Sequence, residues 1–573
     1  MGVAEGQLVV WVLCVCLVAA VLAVLVGSGL KRMAYDSIGE DKKARKPPPS
    51  VPPELSLTEL DNVAVPVSYF VSGLCPALIA NPLNIYMIEN IDASAAQQNT
   101  VLVLMGIPWC FKIFFGLLSD AVPLGGQKRK PYMLVGYGIH LLSIAALSSV
   151  ARPSIAQLAT GLSLSMLGLI WADVMADAFV VQKSRLEPAA SRGRFQSACY
   201  LSRFWGSLVG SVLGALLYNQ RAWHLEFSSI VWLLFVVPLA LLAPIMPFLL
   251  DERPVAVGPD GQLGGKGHER VGLRAQLAVV WDVVQNRAVW QPVLFVYLYN
   301  SLQWFNAGWS SFQRLGLGFE AWQMGSLLVV GNVMQLVGME FFRRRMCGRW
   351  SLQQIYLWST LLQTGFVVLQ VMLVFGVNRR LGISDFTFSI FDNVATQGFG
   401  AVLLLPICML CASLCPEGSE CVVYAILTSF TNVGGVVGGS LSNVISHVWD
   451  VSNAAMKAHQ WGGLWKLTLL SEAASLLPLL FLYRMLPSPA RQRELVERPQ
   501  RSAFAGKCFL AVLGLSIVWS LTEGLVELMA GGGMASHSTS HRAARLANGM
   551  GAAAQTHSNF GGLHHATNSS SRL

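Results

Sequence analysis

Asp173 and Asp177 stand four residues apart in WADVMADAFVV, inside an apolar stretch with no other charge from about residue 154 to residue 181. Four residues is one helical turn, so both carboxylates share a helix face. An ionised side chain in hydrocarbon is costly unless it pairs with an opposite charge or faces a wet cavity. Two bases lie at matching depth in other apolar stretches. Counting from the nearest basic or turn-forming edge at a helical rise, Asp177 and Asp173 sit about 9 and 15 Å in, Lys112 about 12 Å and Arg203 about 13 Å. Two acids and two bases from three helices therefore share one layer. Carboxylates accept hydrogen bonds, and the bases suit anionic groups. Burial also lets a carboxyl carry a proton. Trp109 and Trp171 flank the layer as aromatic candidates for a flat ring. Asn300, Gln303, Trp304 and Asp392 are weaker cavity candidates.

The elements that position these groups must be membrane spans. Of 573 residues, 54% are hydrophobic and only 12% are Asp, Glu, Lys or Arg, too few charges to coat a soluble chain of this size. Windows of about 20 residues give apolar segments near 63–88, 99–119, 132–150, 154–181, 197–218 and 228–250, and again near 290–312, 323–342, 352–376, 393–415, 421–447 and 464–486. Another lies near 8–30, read as a retained span with a signal peptide as the alternative, and a marginal one near 504–522. The expected organisation is an N-terminal extra span and basic linker (1–61), a six-helix bundle (62–250), a middle loop (251–289), a second six-helix bundle (290–487), a basic segment with a marginal span (488–530) and a disordered, His-containing tail (531–573).

The formal charge of +9 resides in alternate loops: Lys128, Arg129 and Lys130 after the second core span, Arg343, Arg344 and Arg345 after the eighth. That asymmetry marks those loops as cytoplasmic and argues against nucleic acid as the partner. The two halves echo one another. The fifth core span carries Gly206, Gly210 and Gly214, and the eleventh carries Gly434 and Gly438 with Gly435 and Gly439. Small residues at this spacing let helix backbones approach in lipid. A duplicated bundle of this kind resembles a major facilitator superfamily transporter, whose halves rock around a central cavity. GLLSDAVPLGGQKRK resembles that superfamily's cytoplasmic signature, with Gly116, Asp120, Gly126, Lys128, Arg129 and Lys130 as the gate residues.

A narrower resemblance rests on three separated motifs. PWCFKIFFGLLSDAVPLGGQKRKPYM (108–133) resembles the signature of the folate–biopterin transporter family, with Ile113 where the family has Pro. WADVMADAFVV resembles that family's fourth span, and LCPEGSECVVYAILTSFTNVGG (414–435), with Pro416, Glu420 and Asn432, its tenth-to-eleventh junction. The resemblance covers residues 62–487 and implies an all-α membrane carrier of pteridines or folates working by alternating access. Lys112, Asp173, Asp177 and Arg203 are then the expected substrate or coupling residues, with protons as a candidate coupling ion. Carriage of another small organic nutrient, or a non-transporting sensor, is the alternative.

An enzyme is not expected: there is no nucleotide-binding glycine loop, HExxH or nucleophile elbow, and an intramembrane aspartyl protease draws its carboxylates from two helices, not one. The eleven cysteines lack metal-ligand spacing, so no metal and no cofactor are expected. The expected partners are a small molecule and the lipid bilayer, the expected state a monomer. The plasma membrane is the expected host, with an organelle envelope as the alternative.

Overall fold

The computed structural model describes residues 60–184, 194–219, 225–246, 273–346, 349–413 and 420–529, with Trp223, Leu250 and Glu252. The segment near 8–30, Pro416, most of the middle loop and the His-containing tail lie outside the described residues. Within them the chain is helical and forms no strand. Among the described residues, nine helices are long and apolar enough to cross a membrane.

The first group comprises α1 (Leu60–Glu89), α2 (Ala95–Gly106), α3 (Lys112–Ala121), α4 (Lys130–Ser148), α5 (Ile155–Ser184), α6 (Arg194–Leu217) and α7 (Phe227–Leu242). Its core draws on residues between Ala64 and Leu250. The second comprises α8 (Leu273–Gln285), α9 (Arg287–Ser301), α10 (Ala321–Phe341), α11 (Leu352–Val374), α12 (Asp385–Ser413), α13 (Glu420–Ser446) and α14 (Gly462–Leu476). A final helix, α15 (Ala503–Met529), inserts Phe509 into the second group's core. It runs 27 residues, further than the marginal 504–522 segment, because the carboxylates Glu523 and Glu527 depress the hydropathy of its last turns without ending the helix.

Local chemistry sets the boundaries. Ser94 and Gln97 form a capping box at the start of α2, and Ser351 and Gln354 one at the start of α11, satisfying amides with no intrahelical acceptor. Pro108 stands in a 3₁₀ turn, Ile107–Phe111, which divides α2 from α3. Proline lacks the N–H an α-helix interior needs, and this break re-aims Lys112 at the head of α3. The seventh span is shorter than its apolar stretch: α9 stops at Ser301, and the chain turns through Leu302–Gly308.

The glycines are contact points. A Cβ at Gly206 would lie 2.1 Å from the Phe70 carbonyl oxygen, at Gly210 2.4 Å from that of Leu74 and at Gly214 2.5 Å from that of Leu78. Thus α6 and α1 pack backbone to backbone on a four-residue stride. Gly434 and Gly438 repeat this on α9, at 2.8 Å from the Tyr297 oxygen and 2.7 Å from that of Asn300. Each group therefore joins its first core helix to its fifth by the same device.

Candidate functional site

The four charged residues meet. Lys112 Nζ donates to Asp173 Oδ2 at 3.0 Å and to Asp177 Oδ2 at 3.2 Å. The Arg203 guanidinium donates to Asp173 Oδ1. Asp173 thus has a base on each oxygen, and its side chain is 1% exposed, while that of Asp177 is 28% exposed. Burying such a network is tolerable because each charge is paired and hydrogen-bonded. Three helices supply it: α3 the lysine, α5 the aspartates, α6 the arginine.

Aromatic residues complete the site. The Lys112 ammonium lies 4.6 Å from the centre of the Trp109 ring, and the Arg203 guanidinium 4.6 Å from that of Tyr69 and 5.4 Å from that of Tyr200. Cations over ring faces gain electrostatic attraction that strengthens out of water. The Tyr69 hydroxyl donates to Asp177 Oδ1. Sequence reasoning did not single out Tyr69 or Tyr200, since a tyrosine in an apolar span has the signature of a packing residue.

The remaining candidates divide. Trp171 stacks on Phe115, with centroids 4.9 Å apart and planes 15° apart, so its face is covered by the protein's own ring. Asn300 donates to the Thr431 carbonyl at 3.2 Å, tying α9 to α13, and Trp304 Nε1 donates to the Ser301 carbonyl at 3.0 Å. Gln303 keeps an enclosed Nε2 without a partner. Asp392 stands two turns inside α12, since that helix begins at Asp385, earlier than the apolar window. It is 5% exposed; Oδ2 accepts from Gln370 at 3.3 Å, and Oδ1 has no partner.

The basic loop after α3 is tied down by a residue the sequence did not flag. Backbone N–H groups of Lys128, Arg129 and Lys130 donate to the Glu252 carboxylate at 2.7–3.0 Å, placing an anion at the N-terminus of α4, where the helix dipole favours it. Gly125 and Gly126 have φ of +59° and +79°, which glycine adopts without strain. The Arg129 side chain donates to Ser119, whose hydroxyl donates to the Gly116 carbonyl at 3.2 Å. Asp120 ends in α3, and its side chain lies outside the described ones.

At the opposite end the two groups touch. Arg314 pairs with Glu89, Gln98 Nε2 donates to Ser311 at 3.1 Å, Asn81 Nδ2 to the Ala321 carbonyl at 3.0 Å, and Asn453 Nδ2 to Asp92 at 3.1 Å. Beneath these contacts is a cavity of about 300 Å³ between the two groups, lined by apolar side chains and by amides including Asn81, Asn84, Asn306 and Asn393.

Among solved structures, the nucleoside transporter NupG superposes with a TM-score of 0.53 at 12% identity, over 75% of this chain and all of that one. A D-xylose–proton symporter does so with 0.52 at 11%, over 74% and 97%. The fold is thus that of major facilitator-type transporters. A curated folate-biopterin transporter from Synechocystis sp. is 28% identical over 419 residues, 72% of this chain and 79% of that one. Probable folate-biopterin transporter 2 of Arabidopsis thaliana is 25% identical over 70% and 77% of the two chains, and folate transporter 1 of Plasmodium falciparum 21% identical over 73% and 78%. With the BT1 family model matching residues 72–504, which include every helix of the charged site, the chain belongs to the BT1 family, an integral multi-pass membrane protein among transporters and not enzymes.

Proposed function

We propose that this protein is a secondary carrier of folate, biopterin or a related pteridine, working by alternating exposure of a site between two six-helix halves, residues 62–250 and 290–487. The names of the relatives supply the substrate class. The observation that carries the reading is the division of labour between the aspartates. Asp173 is saturated by Lys112 and Arg203, whereas Asp177 keeps exposed surface.

In this reading Asp173 holds the two bases in place, and Asp177 takes the ligand. A pterin ring presents an amino group and a ring N–H side by side, which two carboxylate oxygens accept together. Trp109 offers a face for the ring, and Lys112 gains an anionic partner when the substrate carries a carboxylate. Asp177 then exchanges its lysine for the ligand, so occupancy rearranges charge pairs without leaving one bare. The contacts at the end opposite the basic loops close the outer mouth; the Glu252-tied loop, with Gly116, Asp120, Gly126 and the three bases, belongs to the cytoplasmic mouth. Proton coupling fits a site whose carboxylates change partners during the cycle.

Flux of radiolabelled folate and biopterin into proteoliposomes, with and without a proton gradient, tests the proposal. Saturable uptake by the wild type, lost in Lys112→Ala, supports it. Binding without flux would mark a sensor, and absence of both would remove pteridines as the substrate class.

A further inference from the structure

Helix α15 lies almost wholly beyond the matched family region, which ends at residue 504, yet it reaches the place where the two helix groups meet. It runs parallel to α13. Phe430 stacks on Phe509 with ring centroids 3.7 Å apart. Further along, Asn443 Nδ2 donates to Glu523 Oε1 at 3.0 Å, and His447 Nε2 lies 3.3 Å from Glu527 Oε2, each pair 80 positions apart in sequence. The helices thus form two polar rungs one turn apart. On its other side α15 abuts α2: a Cβ on Gly524 would be 3.0 Å from Leu104 and 3.6 Å from Thr100.

Asn443 is the node. Besides Glu523, its Nδ2 donates to Thr100 Oγ1 at 2.8 Å, and its Oδ1 accepts from Asn99 Nδ2 at 2.6 Å. One amide therefore joins the first group, the second group and α15. Glu523 Oε2 is enclosed, and the fully buried Ser440 hydroxyl stands beside it. A serine hydroxyl donates to an ionised carboxylate oxygen and accepts from a protonated one, so this pair accommodates Glu523 in either state. The charged groups around Glu523 are Glu527 on α15 itself and His447 on α13, while α2 presents the neutral Asn99 and Thr100.

We infer that Glu523 is a proton-binding site on the side opposite the basic loops, and that its protonation loosens Asn443 and favours opening at that end. An ionised carboxylate holds an amide donor more strongly than a neutral acid does. As outer pH falls, the Glu523–Asn443 bond weakens, and the seam between α2 and α13 separates more readily. The inference rests on the alternating-opening reading but needs no particular substrate.

The test is labelling by a membrane-impermeant maleimide of Asn84→Cys, in the cavity between the two groups, in full-length protein whose native cysteines are replaced. The labelling rate is expected to rise several-fold as outer pH is lowered from about 7.5 to about 5.5. Glu523→Gln should label fast at both pH values, Glu523→Asp should keep the response, and so should His447→Gln. A flat wild-type response overturns the inference, as does a Glu523→Gln variant that tracks the wild type, or a response lost in His447→Gln alone. Failure of every pteridine to be transported would leave the labelling response in place and would count against the substrate assignment only.

Discussion

The two helix groups treat their buried carboxylates in opposite ways. In the first, Asp173 is paired with Lys112 and Arg203 and Asp177 with Lys112, with tyrosine and tryptophan rings around the bases. In the second, Asp392 has a glutamine donor, and its charged neighbour among the described residues is another acid, Glu472, itself held by Ser475. The same backbone scheme, first helix against fifth through glycines, thus carries a charge network on one side and cation-free carboxyls on the other. Fold duplication does not duplicate chemistry. The first group pairs its buried acids with bases, while Asp392 in the second meets an amide.

Asp173→Ala would break this comparison hardest. It leaves two buried bases without their shared anion, and breaking a buried pair typically costs about 3–5 kcal/mol; thermal melting in detergent should fall sharply and uptake should vanish. Tyr69→Phe comes next. It removes one hydrogen bond to a charged acceptor, about 1.5–3 kcal/mol, and should raise the half-saturating substrate concentration more than it lowers the melting temperature, because Asp177 is the exposed aspartate. Glycine packing gives a third contrast: Gly206→Ala forces a Cβ onto the Phe70 carbonyl and should destabilise by about 1–3 kcal/mol, whereas Gly435→Ala, which meets nothing within 4 Å, should melt as the wild type does. The smallest effect is expected for Asp392→Asn. An amide replaces a carboxyl that has no cation to lose, so stability should move by less than about 1 kcal/mol. A large loss there would mean that the second group also depends on charge.

The charged layer was legible in the sequence because helical rise converts residue counts into depth, and four ionisable groups in apolar spans have few ways to be satisfied. Their partners were not. The bond from Asn99 to Asn443 crosses 344 positions, and no local pattern announces it. Tyr69 and Tyr200 look like ordinary core aromatics until Arg203 is placed against their rings. Trp171 illustrates the converse: its position beside Asp173 suggested a ligand platform, but Phe115 and Tyr132 stack with its ring. Asp392 falls just before the apolar window near 393–415, yet it lies two turns inside α12, because that helix starts at Asp385, which accepts from Arg379 Nη2 at 2.7 Å, and a hydropathy window opens only past such polar residues. Glu252 escaped notice because its ligands are backbone amides, which leave no trace in side-chain composition.

The most direct test of the central claim, that Asp177 in the first group's charge network takes the substrate, is saturable uptake of radiolabelled folate and biopterin by purified Asp177→Asn in proteoliposomes beside the wild type. The account predicts wild-type uptake at least tenfold above the variant at equal reconstituted amounts and similar melting temperatures. Undiminished uptake by a well-folded Asp177→Asn would contradict it.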